Sequence, residues 1–369
     1  MPPNQGLCAS TPFVLPASEE RKDSSVPSDT PPRRPRPRRR RILSGGFGPC
    51  TTLSFLIGNT EQNEGYTAVR RTYVPSTTSS DGASQEEKKQ DMITRGLTLY
   101  HKIFRPSMID AEEAGAPIVV LHGGPSIPSD YLYPLVEHVP SNRAIVFFDQ
   151  LGCGKSSMPD DINAYSIKEA VNDLEVVLKN LGIRRFHLYG HSYGGIVAFE
   201  YIKRIAEREA CNESKSGKGC LSMVLSSAPF SIKMVEEETE ALLDSLRKSG
   251  DDASTLEERF RINHQCRTPH MPAPLIDAYK NAGTVWRDTA VIQDYVATPP
   301  SKQAAEMPPV LAMRGEHDFV TDHCVSEWKS VFDHDKVNIR TLEGCSHHGL
   351  LERGSMYGGV LNDFFSEHD

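Results

Sequence analysis

The sequence lacks several features that would assign it to common classes of protein. No CxxC pair occurs and the eight cysteines are spread along the chain, so reduced thiols are expected rather than a disulfide framework. A secreted chain in which Cys211 and Cys220 close a small loop is the alternative. The net charge of −8 does not favour binding to nucleic acid. No apolar run is long and unbroken enough to make a good membrane span. We therefore predict a cytoplasmic protein that binds neither nucleic acid nor a membrane.

The first part of the chain differs in composition from the rest. Residues 1–92 are rich in Pro, Ser, Thr and Arg and lack hydrophobic periodicity, which predicts a largely disordered extension. Residues 33–41, RRPRPRRRR, are typical of a solvated tail, with a nuclear signal or a patch for anionic surfaces as alternatives. Organelle targeting by the extension is a further alternative. Four acidic residues argue against a transit peptide: Glu19, Glu20, Asp23 and Asp29.

From about residue 93, short apolar runs typical of strands alternate with helical segments. The clearest helix follows Ser166, which forms a capping box with Glu169. Its apolar face comprises Ile167, Val171, Leu174, Leu178 and Leu181. Strands that alternate with helices predict an α/β fold with a mostly parallel sheet flanked by helices. We place this core at residues 93–230 and 298–369, with residues 231–297 as an inserted helical cap.

One short motif lies where an apolar strand is followed by an apolar helix. Residues 190–194, GHSYG, fit the pattern G-x-S-x-G, in which a serine occupies a sharp turn between strand and helix. The pattern is short enough to arise by chance, so Ser192 could be an ordinary turn residue. As a nucleophile it needs a histidine base and a carboxylate that orients the histidine.

Candidate partners follow the last two predicted strands in the required order of serine, acid and histidine. Asp318 comes one turn after the apolar run PPVLAMRG, with Glu316 and Asp322 as rival acids. After the final strand come His347 and His348, of which we favour His347 as the base. The position and order of these residues predict a Ser192–His347–Asp318 triad.

An oxyanion formed at Ser192 needs hydrogen-bond donors. In this arrangement one donor is the N–H of the residue after the nucleophile, here Tyr193. A second comes from a glycine-containing loop after an earlier strand, and residues 122–125, HGGP, supply such a loop. A plain turn is the alternative interpretation of this loop.

Together these segments resemble the proline iminopeptidases (prolyl aminopeptidases) of the α/β-hydrolase fold, including the tricorn-interacting aminopeptidases. The resemblance covers about residues 93–369. It rests on five segments: HGGPS, FFDQLGCGKSS, GHSYGG, GEHDFVT and GCSHHGLLE. It implies an α/β-hydrolase fold with an inserted lid, Ser192, Asp318 and His347 as the catalytic residues, and Gly124 and Tyr193 as the oxyanion donors. It also implies that no cofactor is needed.

The resemblance further points to residues that contact the substrate. Family enzymes hold the free amino group of the substrate with carboxylates of the lid, for which Glu257 and Glu258 are candidates. Gly123 and Trp286 are further candidate substrate-binding residues. The chain departs from the family at Ser126, which replaces the last glycine of H-G-G-P-G. The part of the lid between Trp286 and Pro309 is also shorter than the corresponding part of the family lid.

Three functions follow from these observations. The first is an aminopeptidase that releases N-terminal proline, or another small residue, through an acyl-enzyme. The second is an esterase or amidase that acts on small molecules with the same triad. The third is a hydrolase fold without catalysis, used for binding. No metal site is predicted, because His317 and His323 have no third ligand at a suitable spacing.

Overall fold

The computed structural model describes nine segments of the chain: residues 53–57, 60–76, 92–106, 114–139, 142–211, 219–249, 255–301, 306–332 and 336–369. One sheet contains the strands β1 Leu53–Ile57, β2 Thr60–Tyr73, β3 Ile93–Pro106, β4 Ile118–Leu121, β5 Ile145–Phe148, β6 Phe186–His191, β7 Cys220–Ser226, β8 Val310–Gly315 and β9 Val337–Leu342. The α-helices are α1 Leu135–His138, α2 Ile167–Asn180, α3 Tyr193–Cys211, α4 Ile232–Lys248, α5 Leu256–Phe260, α6 Ala273–Lys280, α7 Asp322–Ser326, α8 Gly349–Glu352 and α9 Gly354–Glu367.

The sheet is antiparallel at one end and parallel over the rest. Its order is β1-β2-β3-β5-β4-β6-β7-β8-β9. Strands β1, β2, β3 and β5 pair antiparallel, and every later pairing is parallel. The carboxyl ends of β4 to β9 therefore share one edge, where the loops of a parallel sheet meet. The predicted fold class, a mostly parallel sheet flanked by helices, is confirmed.

Both faces of the parallel strands are buried, and this explains why those strands are continuously apolar. Because side chains alternate along a strand, Val119 and Leu121 of β4 face one hydrophobic cluster while Ile118 and Val120 face another. Helices α2 and α3 cover the first face, and α1, α6 and α9 cover the second. Full burial of each large apolar side chain stabilises the fold by about 1.5–3 kcal/mol.

Helix α2 begins as predicted. The side chain of Ser166 accepts a hydrogen bond from the Glu169 N–H at 3.0 Å, which is the N-cap half of the predicted capping box. The Glu169 carboxylate accepts the side-chain amide of Asn172 and pairs with Arg71.

The prediction of disorder as far as residue 92 needs correction, because β1 and β2 lie within that range. Strand β2 alternates between buried and exposed residues, but its buried face includes the polar residues Asn63, Thr67 and Arg71. Hydrophobic periodicity therefore gave no signal for this strand. Arg71 forms an ion pair with buried Asp173 of α2 and donates to the Ala164 carbonyl at 3.1 Å. Burial raises the pKa of Asp173 to about 6, even beside Arg71.

The segment between β7 and β8 is helical, as the insertion predicted at residues 231–297 requires. It contains α4, α5, a π-helical turn at Arg261–Gln265 and α6. An isolated antiparallel bridge between Ser231 and Val296 joins its two ends. The segment contacts the loops at the carboxyl edge of the sheet, since the Gly283 N–H donates to the Ser126 carbonyl and the Gly154 N–H donates to the Asn281 carbonyl, both at 2.9 Å.

Some of the predictions fall on residues outside the described segments. These are the basic run at residues 33–41, the acidic residues before it, and residues 212–218 of the loop between Cys211 and Cys220. Within the described segments, five cysteines have free thiols: Cys153, Cys220, Cys266, Cys324 and Cys345. None of the helices in those segments is long and apolar enough to cross a bilayer.

Candidate active site

Ser192 lies on the turn between β6 and α3, at the carboxyl edge of the sheet. Its φ angle is 54°, in the left-handed region that residues other than glycine rarely occupy. The following helix passes so close to β4 that a Cβ at Gly194 would lie 2.2 Å from the Leu121 carbonyl oxygen. A glycine is therefore required there, and the partly exposed serine side chain is left on the outside of a tight, strained turn.

Asp318 and His347 are brought together by the loops after β8 and β9. His347 Nδ1 lies 2.9 Å from Asp318 Oδ1, which also accepts the Val320 N–H at 2.9 Å. Both residues are buried, with 3 % and 6 % exposure respectively. A carboxylate in this position fixes the tautomer of the imidazole with the proton on Nδ1, so that Nε2 is free to act as a base.

The rival acids are placed differently. Glu316 is exposed and accepts the Gly344 N–H at 2.9 Å. Asp322 is also exposed and pairs with Arg314 at 3.6 Å. Among the described residues, Asp318 is the acid that contacts His347.

The structure links His347 to the serine turn without a direct hydrogen bond. Within the described segments, no hydrogen bond joins Ser192 Oγ to His347 Nε2. His191, next to Ser192, bonds instead through Nε2 to the His347 carbonyl at 2.9 Å, and the two rings are 4.8 Å apart. Bonds between nucleophile and base are often long without substrate and shorten in the complex.

The loop after β4 presents backbone N–H groups beside Ser192. Gly123 packs directly on the turn, since a Cβ at that position would lie 2.8 Å from Ser192 Cβ. Its N–H donates to Tyr131 Oη at 2.8 Å and is therefore in use. Among the described residues, the N–H groups of Gly124 and Tyr193 have no acceptor. Both remain free to bind an oxyanion, and Gly124 has the positive φ of 121° that favours glycine.

The loop after β5 holds this donor loop in place. The Gln150 N–H donates to His122 Nε2, and its side-chain amide donates to the His122 carbonyl, both at 2.8 Å. Burial lowers the pKa of His122 to about 4, so the ring is neutral and donates through Nδ1 to the Gly123 carbonyl at 3.0 Å. From the sequence, Asp149 and Gln150 had no assigned role beyond their place in the segment FFDQLGCGKSS. Asp149 fixes the loop by accepting the Ser129 and Lys155 N–H groups at 3.1 Å.

The candidate substrate-binding residues separate into two groups. Gly123 packs on Ser192, whereas Trp286 stacks on Tyr165 at 5.9 Å and, with Tyr193, lines a cavity of about 20 Å³. The carboxylate of Glu258 is bound in a bidentate manner by the buried guanidinium of Arg261, at 2.6 and 2.7 Å. Glu257 is exposed on the same short helix.

An open groove of about 370 Å³ lies beside Asp318. Its lining combines histidines with charged residues, among them Glu238, His264, Arg314, Glu316, His317 and His323. In the part of the chain that the structure describes, no three histidine, cysteine or acidic side chains are grouped so that they could hold a metal ion.

Comparisons with known proteins identify the family of this chain. A family model described as the α/β hydrolase fold matches residues 116–307. The chain is 29% identical to the proline iminopeptidase of Lactobacillus helveticus, over 69% of this chain and 90% of the relative. It is 28% identical to that of Thermoplasma volcanium, over 74% of this chain and 95% of the relative.

Solved structures give the same result for the fold. The crystal structure of the proline iminopeptidase of Mycobacterium smegmatis superposes with a TM-score of 0.61 at 21% identity. That superposition covers 74% of this chain and 95% of the other. The predicted resemblance to proline iminopeptidases is therefore confirmed. The chain belongs to the α/β-hydrolase family and, within it, is a hydrolase similar to the proline iminopeptidases.

Proposed function

We propose that this protein is a serine aminopeptidase that releases N-terminal proline, or another small residue, from peptides. The observation that carries the proposal is the Asp318–His347 hydrogen bond of 2.9 Å, set beside a serine in a strained turn between strand and helix. The similarity to several proline iminopeptidases supports the choice of substrate.

The mechanism is acyl transfer in two steps. Ser192 Oγ attacks the carbonyl carbon of the first residue while His347 Nε2 takes the hydroxyl proton. The negative charge that forms on the carbonyl oxygen is stabilised by the N–H groups of Gly124 and Tyr193. The C–N bond then breaks, and the leaving amine takes the proton from His347.

Water completes the reaction. His347 removes a proton from a water molecule as that water attacks the acyl-enzyme, and the same proton returns to Ser192 when the ester bond breaks. Asp318 stays ionised throughout and stabilises the imidazolium form of His347. The products are the free amino acid and the shortened peptide. Each N–H donor to the oxyanion contributes about 3–4 kcal/mol to stabilising the transition state.

An esterase or amidase for small molecules is a second candidate, favoured by one observation in the cap. An aminopeptidase needs a group that neutralises the ammonium of its substrate, because a buried ammonium without a partner is costly. Glu258 is already paired with Arg261, so it is not a free carboxylate. An ester without an amino group requires no such partner.

One experiment distinguishes these candidates. Hydrolysis of proline β-naphthylamide and of a short-chain p-nitrophenyl ester is measured with the wild type and with Ser192→Ala. Turnover of the amide that disappears in Ser192→Ala supports the aminopeptidase. Turnover of the ester alone supports the second candidate. Activity that survives in Ser192→Ala rejects the mechanism for both.

A further inference from the structure

We infer that Tyr131 and His191 are positioning residues that fix the donor loop and the base loop on either side of Ser192. The inference rests on the proposed function, because it assigns these residues a part in the same reaction. It deepens that proposal by naming two side chains that touch neither the substrate nor the reacting atoms.

The observation is a continuous chain of hydrogen bonds through the buried site. The Gly123 N–H donates to Tyr131 Oη at 2.8 Å. Tyr131 Oη lies 2.9 Å from His191 Nδ1. His191 Nε2 lies 2.9 Å from the His347 carbonyl oxygen. Three separate segments of the polypeptide, which carry the oxyanion donors, the nucleophile and the base, are thus connected through two side chains.

Simple chemistry determines the direction of every bond in this chain. A carbonyl oxygen only accepts, so the proton between His191 and His347 belongs to His191 Nε2. Burial lowers the pKa of His191 to about 3, so its ring is neutral and carries a single N–H. His191 Nδ1 must therefore accept, and the hydroxyl of Tyr131 donates to it. The Tyr131 oxygen in turn accepts the Gly123 N–H.

The surroundings of this hydrogen-bond chain allow it one stable arrangement. Tyr131 and His191 are 2 % and 3 % exposed. The ring of His348 packs on both, with centroids 5.2 Å from Tyr131 and 5.5 Å from His191. Without competing water, each donor has one partner within reach, and loss of either side chain would leave buried polar groups unpaired.

The consequence for catalysis is geometric. With its N–H held by Tyr131, Gly123 sets the position of the adjacent Gly124 N–H, which binds the oxyanion in our proposal. With its carbonyl held by His191, His347 is fixed along the backbone as well as through Asp318. Small displacements at such positions reduce the rate by about 100-fold without preventing substrate binding.

The test compares Tyr131→Phe, His191→Leu and His191→Gln. Glutamine can accept from Tyr131 with its amide oxygen and donate to the His347 carbonyl with its amide nitrogen, whereas leucine can do neither. Tyr133→Phe is the matched control, since Tyr133 packs on Phe104 and Phe147 and takes no part in the hydrogen-bond chain. Thermal unfolding first establishes that each variant is folded. The values of kcat and KM are then measured with whichever substrate the wild type hydrolyses.

We expect Tyr131→Phe and His191→Leu to lower kcat by about 10- to 100-fold, with KM within about 3-fold of the wild type. His191→Gln should recover most of this loss, and Tyr133→Phe should match the wild type. A folded His191→Leu with the kcat of the wild type would overturn the inference. So would a His191→Gln variant that is as slow as His191→Leu.

A second measurement needs no activity and separates failure of this inference from failure of the proposed function. In ¹⁵N-histidine NMR spectra of the wild type, assigned with His191→Gln, His191 should be the neutral tautomer protonated on Nε2. Its signals should not titrate between about pH 5 and 8. Protonation on Nδ1 would overturn the hydrogen-bond chain. If the chain is seen by NMR but no substrate is hydrolysed, the proposed function fails and the positioning role in catalysis fails with it.

Discussion

One Ser–His–Asp arrangement lies at the amino edge of the parallel strands and another at the carboxyl edge, and their differences explain why we assign the proposed reaction to only one of them. At the amino edge of the parallel strands, His187 Nδ1 lies 2.8 Å from Ser222 Oγ, and His187 Nε2 lies 3.1 Å from Asp369 Oδ1. At the carboxyl edge, His347 and Asp318 have the same relation at 2.9 Å, next to Ser192. By distance alone, the first set is the more complete.

Access and charge separate the two sets. Ser222 and His187 are fully buried, so no substrate can reach them. Arg143 binds Asp369 through two hydrogen bonds, of 2.6 and 3.1 Å, so this carboxylate already has a counter-charge and does less to stabilise a charged imidazole. Burial lowers the pKa of His187 to about 4, which makes the ring a poor base. We therefore assign the proposed reaction to the set at the carboxyl edge, where Ser192 is partly exposed and the Gly124 and Tyr193 N–H groups have no acceptor among the described residues.

The largest expected effect comes from removing each serine. Ser192→Ala should lower kcat by about 10⁴-fold or more, because the nucleophile is lost. Ser222→Ala should leave kcat within about 3-fold of the wild type. Rates of ester and amide hydrolysis check both values. A comparable loss of activity in both variants would show that access does not separate the two sets.

As with the two serines, replacing the carboxylate at the carboxyl edge should lower kcat far more than replacing the one at the amino edge. Asp318→Asn should lower kcat by about 10⁴-fold, since an amide favours the wrong tautomer of His347. Asp369→Asn, which changes the same atoms at the other edge, should keep kcat within about 3-fold at pH 7. Steady-state kinetics at pH 7 measure both. An Asp318→Asn variant that is nearly as active as the wild type would remove Asp318 from the triad.

Asp369 should instead matter for stability. Burial by itself would raise the pKa of Asp369, but hydrogen bonds from Arg143, the Ala116 N–H and His187 lower it from 3.8 to about 2. Because the pKa is lower in the folded state, the stabilisation is present above about pH 4 and is lost as the pH falls towards 2.

The variant Asp369→Asn tests this contribution. It should lower the free energy of unfolding by roughly 1–3 kcal/mol at pH 7, nearer the lower value because Asp369 is partly exposed. Urea denaturation of both proteins at pH 7 and pH 3 measures it. The difference should shrink at pH 3, and a difference that grows as the pH falls would contradict the assigned sign.

The smallest effect is expected in the cap. Because Arg261 already binds Glu258, Glu258→Gln should change kcat/KM for proline β-naphthylamide by less than about 3-fold. The p-nitrophenyl ester is the control substrate, since it has no ammonium group. A rise in KM of about 10-fold or more for the amide alone would assign Glu258 to recognition of the substrate ammonium.

Much of the parallel region could be predicted from the sequence, because local signals there agree with the fold. Continuous apolar runs indicated strands buried on both faces, and Ser166 with Glu169 marked the start of α2. The turn at Ser192 was predicted from its neighbouring glycines. These signals are local, so a single sequence is enough to read them.

Contacts between distant parts of the chain gave no such signal. Tyr131 lies in a short 3₁₀ turn outside any motif, yet its hydroxyl meets a backbone N–H and a histidine 60 residues away. The Glu258–Arg261 pair is local, but it depends on side-chain geometry that the residue pattern does not specify. Strand β2 was missed because its buried face includes polar residues and the charged Arg71, whose partners lie on α2 and the preceding turn.

The ion pair between Arg71 and Asp173 determines where the protein can be shortened for expression. The composition of the chain suggests starting at residue 93, but that protein would contain a buried Asp173 with no counter-charge, which is strongly destabilising. It would also expose one side of β3, a strand of 14 residues, to pairing with other molecules. A soluble recombinant form should therefore begin before Thr60.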